Sequence, residues 1–201
     1  MEKGLVNNSF NNVFPTLVGT FELKNVDNEI LMNKMDMSGN IQHGLIENGV
    51  SSYVGGEDCF LTRLNVVDLK EQILFHVNEY CFQLGIAPNF IINSWANVLE
   101  QKGLIKRHRH EKSIISGAYY PQDSNANLIL ENPNTIFQMT QTNINESIYN
   151  TEKILIKPKA GLLVIWPSYI YHYTESNDNN KRYTVSFNTL DESYKSALNR
   201  R

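Results

Sequence analysis

Between residues 90 and 188 the chain breaks into eight short apolar or alternating runs, at 90–99, 113–120, 127–130, 135–139, 153–157, 162–166, 170–174 and 182–188, separated by turn residues. A run of this length with β-branched and aromatic residues is a strand. Eight of them in succession, with no helical pattern between, leave a sandwich or barrel as the architecture, and eight strands suit a jelly roll. The fold expected is therefore mainly β with flanking helices, two facing sheets whose inner faces supply both core and pocket.

The first part of the chain reads as support for that core. Residues 14–23 look like a first strand, and 27–37 like a short helix closed by Ser38 and Gly39. Residues 40–58 are rich in Gly, Asn and Ser and read as a long loop, with one short strand at 50–54 and the potential to act as a lid. From 66 to 84, Val66, Leu69, Ile73, Val77, Tyr80, Cys81 and Leu84 recur every three or four positions, the spacing of one helix face. Asn65 is placed to cap that helix and Gly85 to end it. The Asn-rich stretch 141–150 is a second candidate edge for a pocket.

Composition removes several functional classes. With 41% hydrophobic and 19% charged residues the chain can bury a core and is not a disordered one. Lys+Arg 18 against Asp+Glu 21 gives a formal charge of −3, so there is no basic surplus and nucleic acid is not an expected partner. No apolar run is long enough for a membrane span, and the N-terminus has no signal-type apolar stretch, so a cytoplasmic protein is expected. Cys59 and Cys81 lack metal-type spacing and read as free thiols of a reducing compartment.

The chemistry lies in two clusters. In Arg107-His108-Arg109-His110-Glu111, directly before the strand at 113–120, an extended backbone turns side chains i and i+2 to one face, so His108 and His110 offer two imidazoles to one point. His172 follows the segment Pro158 to Trp166-Pro167-Ser168 and supplies a third. In the last strand Arg182, Thr184, Ser186 and Asn188 share one face, and an arginine among hydroxyls can grip a carboxylate through paired charge-assisted hydrogen bonds. Taken singly, the histidine pair also reads as a solvated basic loop and Arg182 as a surface ion pair. His43 and His76 have no evident partners and read as a loop and a helix residue.

Together, Trp95-Ala-Asn97, His108-x-His110, Ser116-Gly-Ala-Tyr-Tyr120, Pro158-x-x-Gly161, Trp166-Pro-Ser168, His172 and Arg182-x-Thr184-x-Ser186-Phe-Asn188 resemble the Fe(II)/2-oxoglutarate-dependent oxygenases. The resemblance is to a subgroup found in bacteria and tailed phages and related to prolyl hydroxylases. It runs from about 90 to 188, with an echo in Val13-Phe-Pro15. It implies a double-stranded β-helix (jelly roll, cupin-like) in one oxygenase domain spanning 1–201, with support in 1–88, the jelly roll in 89–190 and a tail in 191–201. A phage-encoded enzyme would work in the host cytoplasm.

The resemblance further implies Fe(II), 2-oxoglutarate as cosubstrate and O2. His108 matches the first metal ligand of the superfamily and His172 the distal one, and His110 stands where the superfamily places a carboxylate. Three-histidine ligation follows, unless a bulge turns Glu111 inward or His110 only assists a bound water. The far carboxylate of 2-oxoglutarate is assigned to Arg182 and Thr184. Counting in twos from His110 brings Ser116, Ala118 and Tyr120 to the pocket, making Tyr120 and Ser116 cosubstrate contacts, while Tyr119 faces away; Asn97 lines the same pocket. The catalytic set is then His108, His110, His172 and Arg182. The expected reaction is a hydroxylation coupled to decarboxylation of 2-oxoglutarate to succinate, on an unidentified protein residue or small molecule. Two other readings stay open: a three-histidine cupin-like metalloenzyme that does not use 2-oxoglutarate, and a non-catalytic jelly-roll binding module. The oligomeric state is open, a homodimer included.

Overall fold

The computed structural model describes residues 15–56, 58–134, 145, 147, 150–178 and 180–193. Two antiparallel sheets form its centre. The larger has the strand order β1-β7-β4-β9-β3-β2, from β1 (Gly19–Glu22), β2 (Ile46–Ser51), β3 (Phe90–Ile105), β4 (Ile115–Tyr120), β7 (Leu162–Pro167) and β9 (Lys181–Leu190). The smaller has the order β6-β5-β8, from β5 (Leu128–Glu131), β6 (Lys153–Ile156) and β8 (His172–Thr174). Helices α1 (Asn28–Asp36), α2 (Phe60–Arg63) and α3 (Val67–Leu84) cover the outer face of the large sheet. This is the jelly roll expected from the eight runs.

Period-two alternation divides each central strand between two cores. Ile115 and Tyr119 of β4, Leu163 and Ile165 of β7, and Val185 and Phe187 of β9 face the helices, where they pack with Leu69, Ile73, Val77 and Tyr80 of α3. The intervening Ala118, Tyr120, Val164 and Trp166 face the small sheet and meet Leu128, Leu130 and Ile170. The interior face of β9 is polar, carrying Arg182, Thr184, Ser186 and Asn188, and it lies between β3 and β4. A strand with one apolar and one polar face, buried on both, builds a site rather than a simple core.

Several local expectations change. The strand at 90–99 continues to Ile105, because β2 pairs with its second half from Ile46↔Ile105 to Ser51↔Asn97 across a bulge. The segment read as a loop with a strand at 50–54 is thus a paired wall, its strand beginning at Ile46. Asn65 does not cap α3: its backbone is left-handed at φ 50, Val66 becomes the N-cap, and no side chain accepts a hydrogen bond there. Gly85 does end α3, adopting φ 68, a conformation that only a residue without Cβ takes at no steric cost. Asp27 caps α1 through a hydrogen bond from the Ile30 amide, 3.0 Å. The strand expected at 135–139 and most of 141–150 lie outside the described residues. Among the described residues no helix is long and apolar enough to cross a membrane.

Candidate metal centre

His108, His110 and His172 converge at the open end between the sheets. Their candidate ligand atoms lie within 4.8 Å of one another, and no other His/Cys/Asp/Glu group of this kind occurs among the described residues. The backbone sets this up. After β3 the chain reaches over to β8, where His108 and His172 exchange both backbone hydrogen bonds, 3.0 and 2.8 Å. The His110 amide then donates to the Ser168 carbonyl, 3.0 Å, five residues before β4 begins. Glu111 is exposed at the cavity rim and is not part of the cluster.

Hydrogen bonds fix the tautomers. His108 Nδ1 donates to the Lys106 carbonyl (2.7 Å) and His172 Nδ1 to the Ile170 carbonyl (3.0 Å). His110 Nδ1 contacts Asn188 Oδ1 (2.5 Å) and Ser116 Oγ (2.9 Å). A neutral imidazole with its proton on Nδ1 presents a lone pair at Nε2. The Nε2 atoms of His108 and His110 are 3.1 Å apart, close to the ~3 Å that separates two ligands held at ~2.1 Å and a right angle on one ion. Burial depresses all three histidines, His110 to about 4 with help from its neighbour His108, and His172 well below its usual value for the same reasons. All three are therefore neutral at pH 7, the state a metal ligand requires.

The cavity behind this cluster measures about 260 Å³, the scale of a small-molecule site. At its far end lies Arg182, 1% exposed, with Nε, Nη1 and Nη2 all without a hydrogen-bond partner. Its guanidinium carbon is 5.4 Å from the Tyr120 ring centroid; burial lowers the arginine's pKa, and Tyr120 beside it opposes the shift. Thr184 and Leu128 line the cavity with it, and the Trp166 indole N–H, also buried and unpartnered, lies on the same cavity beside His172, ring centroids 5.0 Å apart. Three orphaned guanidinium donors beside a tyrosine fit a carboxylate, and three neutral imidazoles fit Fe(II).

The structure places the other sequence candidates as follows. Tyr120 and Ala118 line the cavity, whereas Tyr119 faces the helices and donates to Asn28 Oδ1, 2.7 Å. Asn97 lines it too, held by Ser51 and Ser186. Ser116 corrects an expectation: fully buried, its hydroxyl is engaged with His110, Asn188 and Ser168, so it serves the histidine rather than the cosubstrate. Arg107 is occupied elsewhere, in a bidentate pair with Glu131 (2.7 and 2.7 Å), its guanidinium 3.7 Å over Tyr171. His43 was missed. It lines the cavity, edge-on to Tyr53, which stands edge-on to Trp95 beside His110, at centroid distances of 5.6, 5.0 and 5.6 Å. The pairing of Ile41 with Ser51 carries it there, a long-range contact that no local pattern announces.

A jelly roll with convergent histidines at its mouth and a buried arginine at its deep end defines a class, the mononuclear non-haem iron oxygenases that use 2-oxoglutarate. Residues 93–188 match the family described as "Putative 2OG-Fe(II) oxygenase". Solved structures agree on the fold. OsALKBH1 superposes with a TM-score of 0.61 at 10% identity, covering 88% of this chain and 98% of that one. A prolyl hydroxylase from Trichoplax adhaerens, bound to a hypoxia inducible factor peptide fragment, gives 0.58 at 14%, covering 90% and 86%. HygX from Streptomyces hygroscopicus, with nickel, 2-oxoglutarate and hygromycin B bound, gives 0.57 at 9%, covering 88% and 84%. No curated protein matches the chain in sequence.

Proposed function

We propose that this protein is an Fe(II)/2-oxoglutarate-dependent dioxygenase, a hydroxylase, in which His108, His110 and His172 hold the metal and Arg182 holds the cosubstrate. The observation that carries the reading is the pairing of the three convergent Nε2 atoms with an unpartnered, fully buried guanidinium at the other end of the same cavity. When bound, iron would activate O2 as the oxidant, and 2-oxoglutarate would supply two electrons as it is decarboxylated to succinate and CO2.

The chain's own residues orient and exclude. Arg182 donates to the far carboxylate of the cosubstrate, and Thr184 and Tyr120 bear on the same group. Lys106, Ile170 and Asn188 keep the three Nδ1 protons in place, leaving each Nε2 free to ligate. Ala118 and Leu128 keep the deep end dry, which strengthens the arginine–carboxylate pair. His43, Tyr53 and Trp95 form the wall on the metal's other side, the place for the prime substrate. HygX is bound to hygromycin B and the Trichoplax prolyl hydroxylase to a peptide fragment, so the fold leaves the prime substrate open.

The test is anaerobic binding followed by turnover. The protein binds Fe(II) and 2-oxoglutarate together, and with O2 it forms succinate; His172→Ala abolishes metal binding and succinate formation. Failure to bind both ligands overturns the proposal. If metal binds but 2-oxoglutarate affinity is unchanged in Arg182→Ala, the protein is instead a three-histidine metalloenzyme of another reaction type.

A further inference from the structure

The polar groups behind His110 form a directed chain. Ser116 on β4 and Asn188 on β9 are cross-strand partners, and both point inward beneath the imidazole. Asn188 Oδ1 accepts from His110 Nδ1 and from the Ser116 hydroxyl (2.7 Å), which uses both lone pairs of that oxygen. The Ser168 hydroxyl lies 2.7 Å from Ser116 Oγ and donates to it, since the Ser116 proton is already directed at Asn188. Ser168 also receives the His110 backbone amide on its carbonyl, so one residue pins both ends of the ligand. Ser116 and Ser168 are 0% exposed and Asn188 7%. Water does not readily replace a member of such a set, and an unmatched partner there is costly.

Every proton in this chain runs toward Asn188 Oδ1, and the group it meets at position 110 must be a donor. A neutral imidazole satisfies that with Nδ1–H and keeps Nε2 for the metal. A carboxylate has only acceptors and would set its oxygen against the asparagine oxygen. We propose that Asn188, supported by Ser116 and Ser168, is the positioning residue that makes position 110 a histidine ligand, so that aspartate cannot replace His110 in this site. The inference rests on the reading of His110 as a metal ligand.

Co(II) is the probe, titrated alone into the full chain, with affinity and ligand-field spectrum as readouts. Asn188→Leu, which removes the acceptor at similar volume, lowers Co(II) affinity by about 10- to 100-fold and changes the spectrum as one nitrogen ligand loosens. Asn188→Asp, which keeps an acceptor, restores both. His110→Asp binds as weakly as His110→Ala. Wild-type affinity with an unchanged spectrum in Asn188→Leu overturns the proposal, as does weak binding in Asn188→Asp or tight binding in His110→Asp. Should Asn188→Leu not fold, Ser116→Ala is the milder probe: it weakens Co(II) binding by a smaller factor, and wild-type binding overturns the relay. His110→Ala separates the two levels of the argument. If it leaves affinity and spectrum unchanged, His110 is not a ligand and the reading of the site fails, whatever Asn188 does.

Discussion

Arg182→Met tests the site from its deep end, because the structure predicts opposite effects on stability and on binding. Arg182 is 1% exposed and its three guanidinium nitrogens have no hydrogen-bond partner, so the folded chain carries a desolvated charge with the Tyr120 ring, 5.4 Å away, as its compensation. Replacing a buried charged group by an apolar side chain of similar length stabilises by about 1–4 kcal/mol in comparable cases. For a chain of this size each kcal/mol raises Tm by about 2–4 °C, so the variant melts several degrees higher in the absence of cosubstrate. The loss appears on binding. Two hydrogen bonds from a charged donor at about 1.5–3 kcal/mol each amount to about 3–6 kcal/mol, or roughly 100- to 20,000-fold in affinity for 2-oxoglutarate. The assay is a thermal melt of Mn(II)-loaded protein with and without the cosubstrate at about 100 times the wild-type Kd. The wild type gains about 2.7 kcal/mol, a shift of several degrees, whereas the variant gains about 0.4 kcal/mol or less. A variant that melts lower than wild type and keeps the full shift would show that the guanidinium is already satisfied and does not meet a carboxylate.

Three further outcomes follow from the same geometry. Tyr120→Phe lowers 2-oxoglutarate affinity by about 2- to 12-fold, one neutral hydrogen bond, while Tyr119→Phe leaves it unchanged and costs about 1 kcal/mol of stability through the lost bond to Asn28; the reverse pattern in calorimetric titrations would mean that the pocket face has been assigned wrongly. In chelator-treated protein, His110 titrates near 4 when folded and near ~6.5 when unfolded. The unfolded chain therefore binds the proton first, and His110 costs stability as pH falls through that window by up to about 1.4 kcal/mol per unit; urea melts at three pH values read the slope, which His110→Phe lowers without abolishing, because His108 and His172 are depressed too. Gly117→Ala destabilises by about 1–3 kcal/mol, because its Cβ would run into the Phe187 ring, and a melt no lower than wild type would refute that packing.

What the sequence disclosed was governed by the range of the interactions. Alternation along a strand is local, so Ala118 and Tyr120 on β4 and Arg182 and Thr184 on β9 could be counted off in twos, and β4 pairs from Ile115 to Tyr120 without a register shift; His110 lies before that strand and is held by its own bonds to Ser168 and Asn188. The extension of β3 to Ile105 could not be read, because Glu100, Gln101 and Lys102 are exposed polar residues at a register shift, and the strand is held beyond them by Leu104 and Ile105 pairing with Glu47 and Ile46 of β2. His43 needed the Ile41–Ser51 bridge to reach the cavity. Asn65 failed as a cap for a related reason: the four-residue α2 occupies 60–63, too short to show a period, and it hands the chain to α3 through a left-handed turn at Asn65. Ser116 was placed on the correct face, but its partners are three other interior side chains, and only the assembled sheets show that its hydroxyl is used.

The distribution of satisfied and unsatisfied polar atoms separates the two halves of the site. Near the metal cluster the polar groups are closed on one another apart from the Trp166 indole N–H beside His172: each Nδ1 has an acceptor, Ser116 and Ser168 are paired, and Asn97 is held by Ser51 and Ser186. At the deep end they are not. Of the six buried side-chain atoms without a partner among the described residues, three are the guanidinium nitrogens of Arg182, which lines the cavity. Buried donors without acceptors are rare because each costs about 1–3 kcal/mol, and a fold that retains three on one side chain regains that energy from a ligand that supplies acceptors. The metal end is thus built before any ligand arrives and the dicarboxylate end is completed by one. It follows that metal loading alone should change hydrogen-exchange protection little around β9, and that 2-oxoglutarate should raise it most at Arg182 and its β3 partner Leu99.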